Sequence, residues 1–205
     1  AGPMAISVTL AALLLSAMEG EDPADPATVA ARGHFGRDYL AGLNADSLRG
    51  MKIGVIRAAK ETDGAVTDGA QLNFEQAVTD LKTAGAVLVD DLVWPDYPKG
   101  FNDASLSVLL YEFKHDLNVY LASLPGEAGQ LNLARLIEFN QANAELEMPW
   151  FGQEIFIKAQ EKGDLASKEY LRALKLVQNF TRSAIDGLLA KHGVDLLVMP
   201  TNSLP

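Results

Sequence analysis

Two short β-branched runs with one amphipathic helix between them constrain this chain more than any other feature. Residues 51–56 read Met-Lys-Ile-Gly-Val-Ile, bounded by Gly50 and Arg57, and residues 86–94 form a second such run that stops at Pro95. Between them Phe74, Ala77, Val78 and Leu81 recur at helical spacing. Gly85 stands where that helix would end in the left-handed region. Runs this short and this apolar suit buried strands, and the order strand, helix, strand predicts a right-handed parallel crossover. The fold class is therefore α/β, with residues 51–94 as a strand–helix–strand subdomain.

The remainder reads as mostly helical. Leu106, Leu109, Leu110, Phe113, Leu117 and Leu121 form one apolar stripe over residues 105–123, which Pro125-Gly126 ends. Shorter helices are predicted over 131–143 and 150–161, and a long one over 167–191 with Ser167 as its cap and Gly193 as its stop. A third apolar run, 194–199, halts at Pro200 and reads as the last strand. Three strands, parallel or mixed, against about six helices make too little sheet for a self-contained doubly wound domain, because a parallel sheet needs cover on both faces and neighbours at its edges. The expectation is a partial fold, incomplete as a stand-alone domain. The chain shows no internal repeat and no low-complexity tract.

Residues 4–18 are uncharged and apolar, the length of a signal-peptide core. No Lys or Arg precedes Arg32, and the run is shorter than the roughly twenty residues that span a bilayer. It reads as a buried helix closed by Gly20, followed by a surface connection over 22–38. The opening Ala1-Gly2-Pro3, with no leading methionine, gives the expectation of an internal piece of a longer polypeptide.

Composition excludes several chemistries. A chain of 205 residues with 48% hydrophobic content can bury a core, and a net charge of -10 with scattered Lys and Arg disfavours nucleic acid and anionic membrane as partners. With no cysteine there is no disulfide, thiolate nucleophile or Cys-ligated zinc, and either redox compartment suits the chain. A cytoplasmic location is the working expectation. The acidic residues do not follow calcium-loop spacing, there is no His-x-x-x-His pair, and Gly64 and Gly69 lack a phosphate-loop Lys. No metal, nucleotide or other cofactor is expected. His34, His115 and His192 have no Gly-x-Ser-x-Gly elbow to serve, and the serines are isolated.

Three segments remain as candidate pocket walls. Glu112 and Asp116 lie one helical turn apart in Tyr111-Glu112-Phe113-Lys114-His115-Asp116, which would equally make a solvated acidic stripe beside a core face. Phe151, Gln153 and Glu154 open a helix, where the dipole alone would favour the glutamate. Thr201 and Asn202 follow a strand end, the place where open α/β sheets hold ligands.

The order of phrases resembles the amidase signature family. Phe151-Gly152-Gln153-Glu154, a helix bearing Tyr170, and Asp195-Leu196-Leu197-Val198-Met199-Pro200-Thr201 are similar to the phrases that follow that family's catalytic core. Gly2-Pro3-Met4, the apolar helix, and Gly20-Glu21-Asp22-Pro23-Ala24-Asp25-Pro26 look like the phrase directly after its Ser-Ser-Lys region. Leu110-Tyr111-Glu112-Phe113-Lys114 is closest to the peptide-amidase-like members. The resemblance implies that residues 1–205 are the C-terminal part of a single amidase signature domain. It implies hydrolysis of a carboxamide in a small molecule or peptide to a carboxylate and ammonia or amine, with Tyr111, Glu112, Asp116, Phe151, Glu154, Thr201 and Asn202 lining the substrate pocket. A Gly-Gly-Ser-Ser run is absent, so no catalytic residue is assigned. Nucleophile, base and oxyanion hole would come from a missing N-terminal part, and the chain alone would be inactive. Self-association through exposed apolar segments, giving a homo-oligomer, is a further expectation. A non-catalytic α/β ligand-binding module is the alternative. Coding sequence upstream of Ala1 for a Gly- and Ser-rich segment, with a Lys some tens of residues before it, separates the two.

Overall fold

The computed structural model describes residues 2–44, 46–57 and 68–200. The chain divides into two units, one of residues 1–93 and 189–205 and the other of residues 94–188.

In the first unit, β1 (Lys52–Ile56), β2 (Val87–Leu92) and β3 (Leu196–Val198) form a sheet in the order β2-β1-β3 with both pairings parallel. The central strand needs apolar side chains on both faces, which is why Ile53, Val55 and Ile56 are all buried. Gly54 sits among them because there is no space for more: a Cβ there would lie 2.6 Å from Leu92 Cδ2 and 2.9 Å from Leu197 Cδ2. At the start of β3, Asp195 holds the strand in register. Its side chain accepts the Lys52 amide at 2.9 Å while its own amide donates to Lys52 O at 2.7 Å. Helix α2 (Asp68–Thr83) connects β1 to β2 and ends at Gly85, whose φ of +94° is the left-handed conformation that glycine adopts without a Cβ penalty.

Helix α1 (Val8–Met18) has the bounds expected for it, with Ser7 Oγ accepting the Leu10 amide at its start. The expected burial is not found, since no residue of α1 is buried and Val8 is 71% exposed. Burying the apolar side chains of an eleven-residue helix requires a facing surface, and the described residues leave those of α1 partly or fully exposed. It closes on Glu19 rather than Gly20. Glu19 then anchors the connection that follows, accepting the Gly36 amide at 2.6 Å and the Tyr39 hydroxyl at 3.0 Å. That connection contains a 3₁₀ helix, Pro26–Ala31, capped by Asp25.

The second unit is helical: α3 (Phe101–Ala122), α4 (Leu133–Ala142), α5 (Ala144–Glu147), α6 (Glu154–Gln160) and α7 (Lys168–His192), with the last residues of α7 counted in the first unit. Among the described residues the α-helices number seven and include α5, a single turn too short to leave a periodic pattern in sequence. Four residues of the apolar stripe expected for α3, Leu110, Phe113, Leu117 and Leu121, are buried or packed in the core, and α3 presents a second contact face besides. Val108 and Tyr111 pack with Tyr170, Ala173 and Leu174 of α7. Leu110, Phe113 and Leu117 pack with Leu133 and Ile137 of α4 and with Phe156 and Ala159 of α6. Leu106 and Leu109, also in the expected stripe, are exposed.

Candidate functional site

The predicted pocket residues that the structure describes fall into two groups, attached to different cores. The first is built where the α3 turn carrying Tyr111 and Glu112 meets the start of α7. Ser167 caps α7 through the Tyr170 amide (3.3 Å) and so places Tyr170 in its first turn. The Tyr170 ring is buried against Tyr111, with centroids 5.5 Å apart, and its hydroxyl donates to Glu112 Oε1 at 2.8 Å. Burial, and after it the Glu112 carboxylate, pushes the Tyr170 hydroxyl pKa up, so the phenol keeps its proton across the neutral range.

Lys162 extends this cluster. Its ammonium lies 5.3 Å from the Tyr111 ring centroid and pairs with Glu169 at 2.9 Å, and that ion pair is the main cause of a lowered Glu169 pKa. Lys114, in the turn after Glu112, donates to the carbonyls of Gln160 (2.8 Å) and Lys162 (2.6 Å), closing the C-terminal end of α6. The cluster therefore ties α3, α7 and the segment between α6 and α7 together through charge-assisted bonds.

Each predicted residue has a definite place. Tyr111 is a core residue, 3% exposed. Glu112 is half-buried, and Asp116 is exposed with His115 Nδ1 at 2.8 Å. Phe151 is 81% exposed, and Glu154, the first residue of α6, is exposed with its carboxylate beside Gly152. Gln153 between them is buried, donating to Ile137 O at 3.1 Å and accepting from Asn140 at 3.3 Å, so it fixes the entry to α6. Thr201 and Asn202 lie outside the described residues. Tyr170, Lys162 and Glu169 were not singled out from the sequence as pocket residues. Their partners stand up to 62 positions away, a separation no helical period reports.

None of the described serines hydrogen-bonds a histidine or lysine. Ser16, Ser47, Ser123 and Ser183 donate to nearby backbone carbonyls, and Ser107 donates to Glu169 at 3.4 Å. An activated hydroxyl needs a well-placed base; four of these hydroxyls face only backbone carbonyls, and Ser107 meets only the Glu169 carboxylate, which is already paired with Lys162. Among the described residues no cluster of His, Asp or Glu is arranged to hold a metal ion, and no helix is long and apolar enough to cross a membrane. An open hollow at the α4–α5 bend, lined by Gln141, Asn143, Glu145 and Leu146, contains none of the predicted site residues.

Comparison with known proteins gives one answer. The native peptide amidase of Stenotrophomonas maltophilia superposes with a TM-score of 0.85 at 39% identity, over 98% of this chain and 40% of that one. An amidase family protein of Bacillus anthracis gives 0.79 at 27% identity, over 98% of this chain and 38% of its own. A probable amidase of Arabidopsis thaliana is 28% identical over 96% of this chain and 37% of its own length. A glutamyl-tRNA(Gln) amidotransferase subunit of Carboxydothermus hydrogenoformans is 30% identical over the whole chain and 40% of its own length. The chain thus spans about two-fifths of the relatives it matches. The sheet and helices described above are the corresponding part of the peptide amidase fold. The Amidase family model matches residues 1–205, and the chain belongs to the amidase family.

Proposed function

We propose that this chain is the pocket-shaping part of an amidase that hydrolyses a carboxamide C–N bond, releasing a carboxylate and ammonia or an amine. The observation that carries the reading is the 39% identity to a peptide amidase across 98% of the chain, which favours a peptide amide as substrate. In this reading Tyr111, Glu112, Asp116, Phe151, Glu154, Thr201 and Asn202 belong to the substrate pocket, and nucleophile, base and oxyanion donors come from sequence outside residues 1–205. The half-buried Glu112 supports a pocket role, since it offers an acceptor beside an apolar wall. Tyr111 contributes to that wall from below, as the buried ring on which Tyr170 rests. The 30% identity to one component of an amidotransferase supports a partner protein less strongly than 39% supports a peptide amidase.

The test compares ammonia release from peptide amides and simple carboxamides by the chain alone and by the product of the full reading frame containing it. Turnover is expected only from the longer protein. Turnover by the chain alone that disappears on replacing one of its own serines by alanine would overturn the reading.

A further inference from the structure

We propose that Tyr170 is a positioning residue that holds the Glu112 carboxylate ready to accept a hydrogen bond from an N–H group of a peptide amide substrate. The inference rests on the reading that Glu112 lines the pocket, and it assigns the residue that makes Glu112 effective.

Glu112 on its own would be a poor recognition group. A glutamate has three rotatable side-chain bonds, and ordering them when substrate arrives subtracts from affinity. Tyr170 removes that freedom in advance. Its ring has two torsions and is held by burial, by a tilted contact with the Tyr111 ring and by packing in one cluster with Val108, so its hydroxyl has a fixed position. The 2.8 Å bond from that hydroxyl fixes Glu112 Oε1. Among the described residues Oε2 carries no hydrogen bond, which leaves an oriented acceptor on a half-buried carboxylate. The support behind Tyr170 is itself braced: Ser167 caps its helix turn, and Glu169 in the same turn is bound by Lys162 and by Ser107 of α3. An acceptor preorganised in this way selects substrates with a donor at that place, such as the backbone N–H or terminal ammonium of a peptide amide, over simple acyl amides lacking one.

The experiment measures KM and kcat of the full-length enzyme for a peptide amide and for a simple carboxamide without a second donor. The variants are Tyr170→Phe, Glu112→Ala and the double variant, with thermal stability recorded alongside. Tyr170→Phe keeps the buried ring and removes only the hydroxyl. It is expected to raise KM for the peptide amide about tenfold, the scale of one hydrogen bond to a charged group, and to alter the kinetics of the simple carboxamide less. Glu112→Ala should do the same, and the double variant should lose no more than either single one. If Glu112→Ala leaves both substrates unchanged, the pocket reading itself falls. If Glu112→Ala raises KM while Tyr170→Phe alters only thermal stability, or if the two effects add, the pocket reading stands and the positioning role of Tyr170 is refuted. The two substrates report binding apart from folding, so a loss of thermal stability does not count in favour of the role.

Discussion

Gly54 is the residue where packing leaves least room. The Cβ of an alanine there would meet Leu92 Cδ2 and Leu197 Cδ2 below 3.0 Å and Val194 Cγ2 at 3.2 Å, contacts contributed by the segments on both sides of β1. Leucine termini can rotate on a surface, but Leu92 is 2% exposed and has nowhere to go. Gly54→Ala is therefore expected to cost about 1–3 kcal/mol, the range of overpacked cores, measured as a drop in the urea midpoint at unchanged slope. A neutral result would mean that the sheet spreads to admit a methyl group. On α2, Glu75 invites reading as a solvent-facing residue, yet it pairs with Arg57, which also grips Asp90 through two bonds of 2.9 and 2.7 Å. Lys82, which is exposed, is the neutral control on that helix.

Among the elements, α6 shows how a short helix is held. Seven residues are too few for a helix to persist alone, so its ends and one buried face must be supplied by neighbours. Gln153 secures the entry, Ala159 packs fully buried against α3 and α4, and the Lys114 ammonium satisfies two carbonyls at the exit. Lys114→Met keeps the aliphatic stem and deletes the donor. It should cost about 1–2 kcal/mol and speed amide exchange across α6 while leaving β1 amides unchanged. Equal loss of protection in both places would show that α6 unfolds only with the rest. Much at this scale was legible in sequence. The β1–α2–β2 unit, the reach of α7 and the stops at Gly85 and Gly193 followed from β-branched runs, helical period and glycine punctuation, signals written within a few neighbouring residues. What was not legible depends on distant partners: which face of α3 Val108 and Leu110 occupy, why Tyr111 is core, and that Tyr170 reaches Glu112. The family phrases located the candidate segments, but a phrase carries no side-chain contacts. Asp195 in the last of them has a structural role, as the clamp on Lys52.

At the scale of the whole molecule, the exposed apolar residues of α1 are the clearest excess. Val8, Leu10, Leu13, Leu14 and Met18 are all exposed on one eleven-residue helix, with Met4 and Ile6 before it. Single exposed leucines are ordinary, whereas a run of this size marks an interaction surface or an aggregation hazard. The isolated chain is expected to bind an environment-sensitive apolar dye and to associate with rising concentration, and Leu10→Gln with Leu13→Gln should reduce both. A monodisperse monomer that binds no dye would contradict this. The Asp195 clamp carries a consequence of another kind. It joins residues 143 positions apart, because the whole helical unit is encoded between the two halves of the sheet unit. During synthesis, β1 and β2 are made early and must wait with one flank of β1 unpaired until β3 leaves the ribosome. The helical unit, rich in short-range contacts, can form in that interval, so the slow step in reaching the native state should be the arrival of β3 at its waiting neighbour.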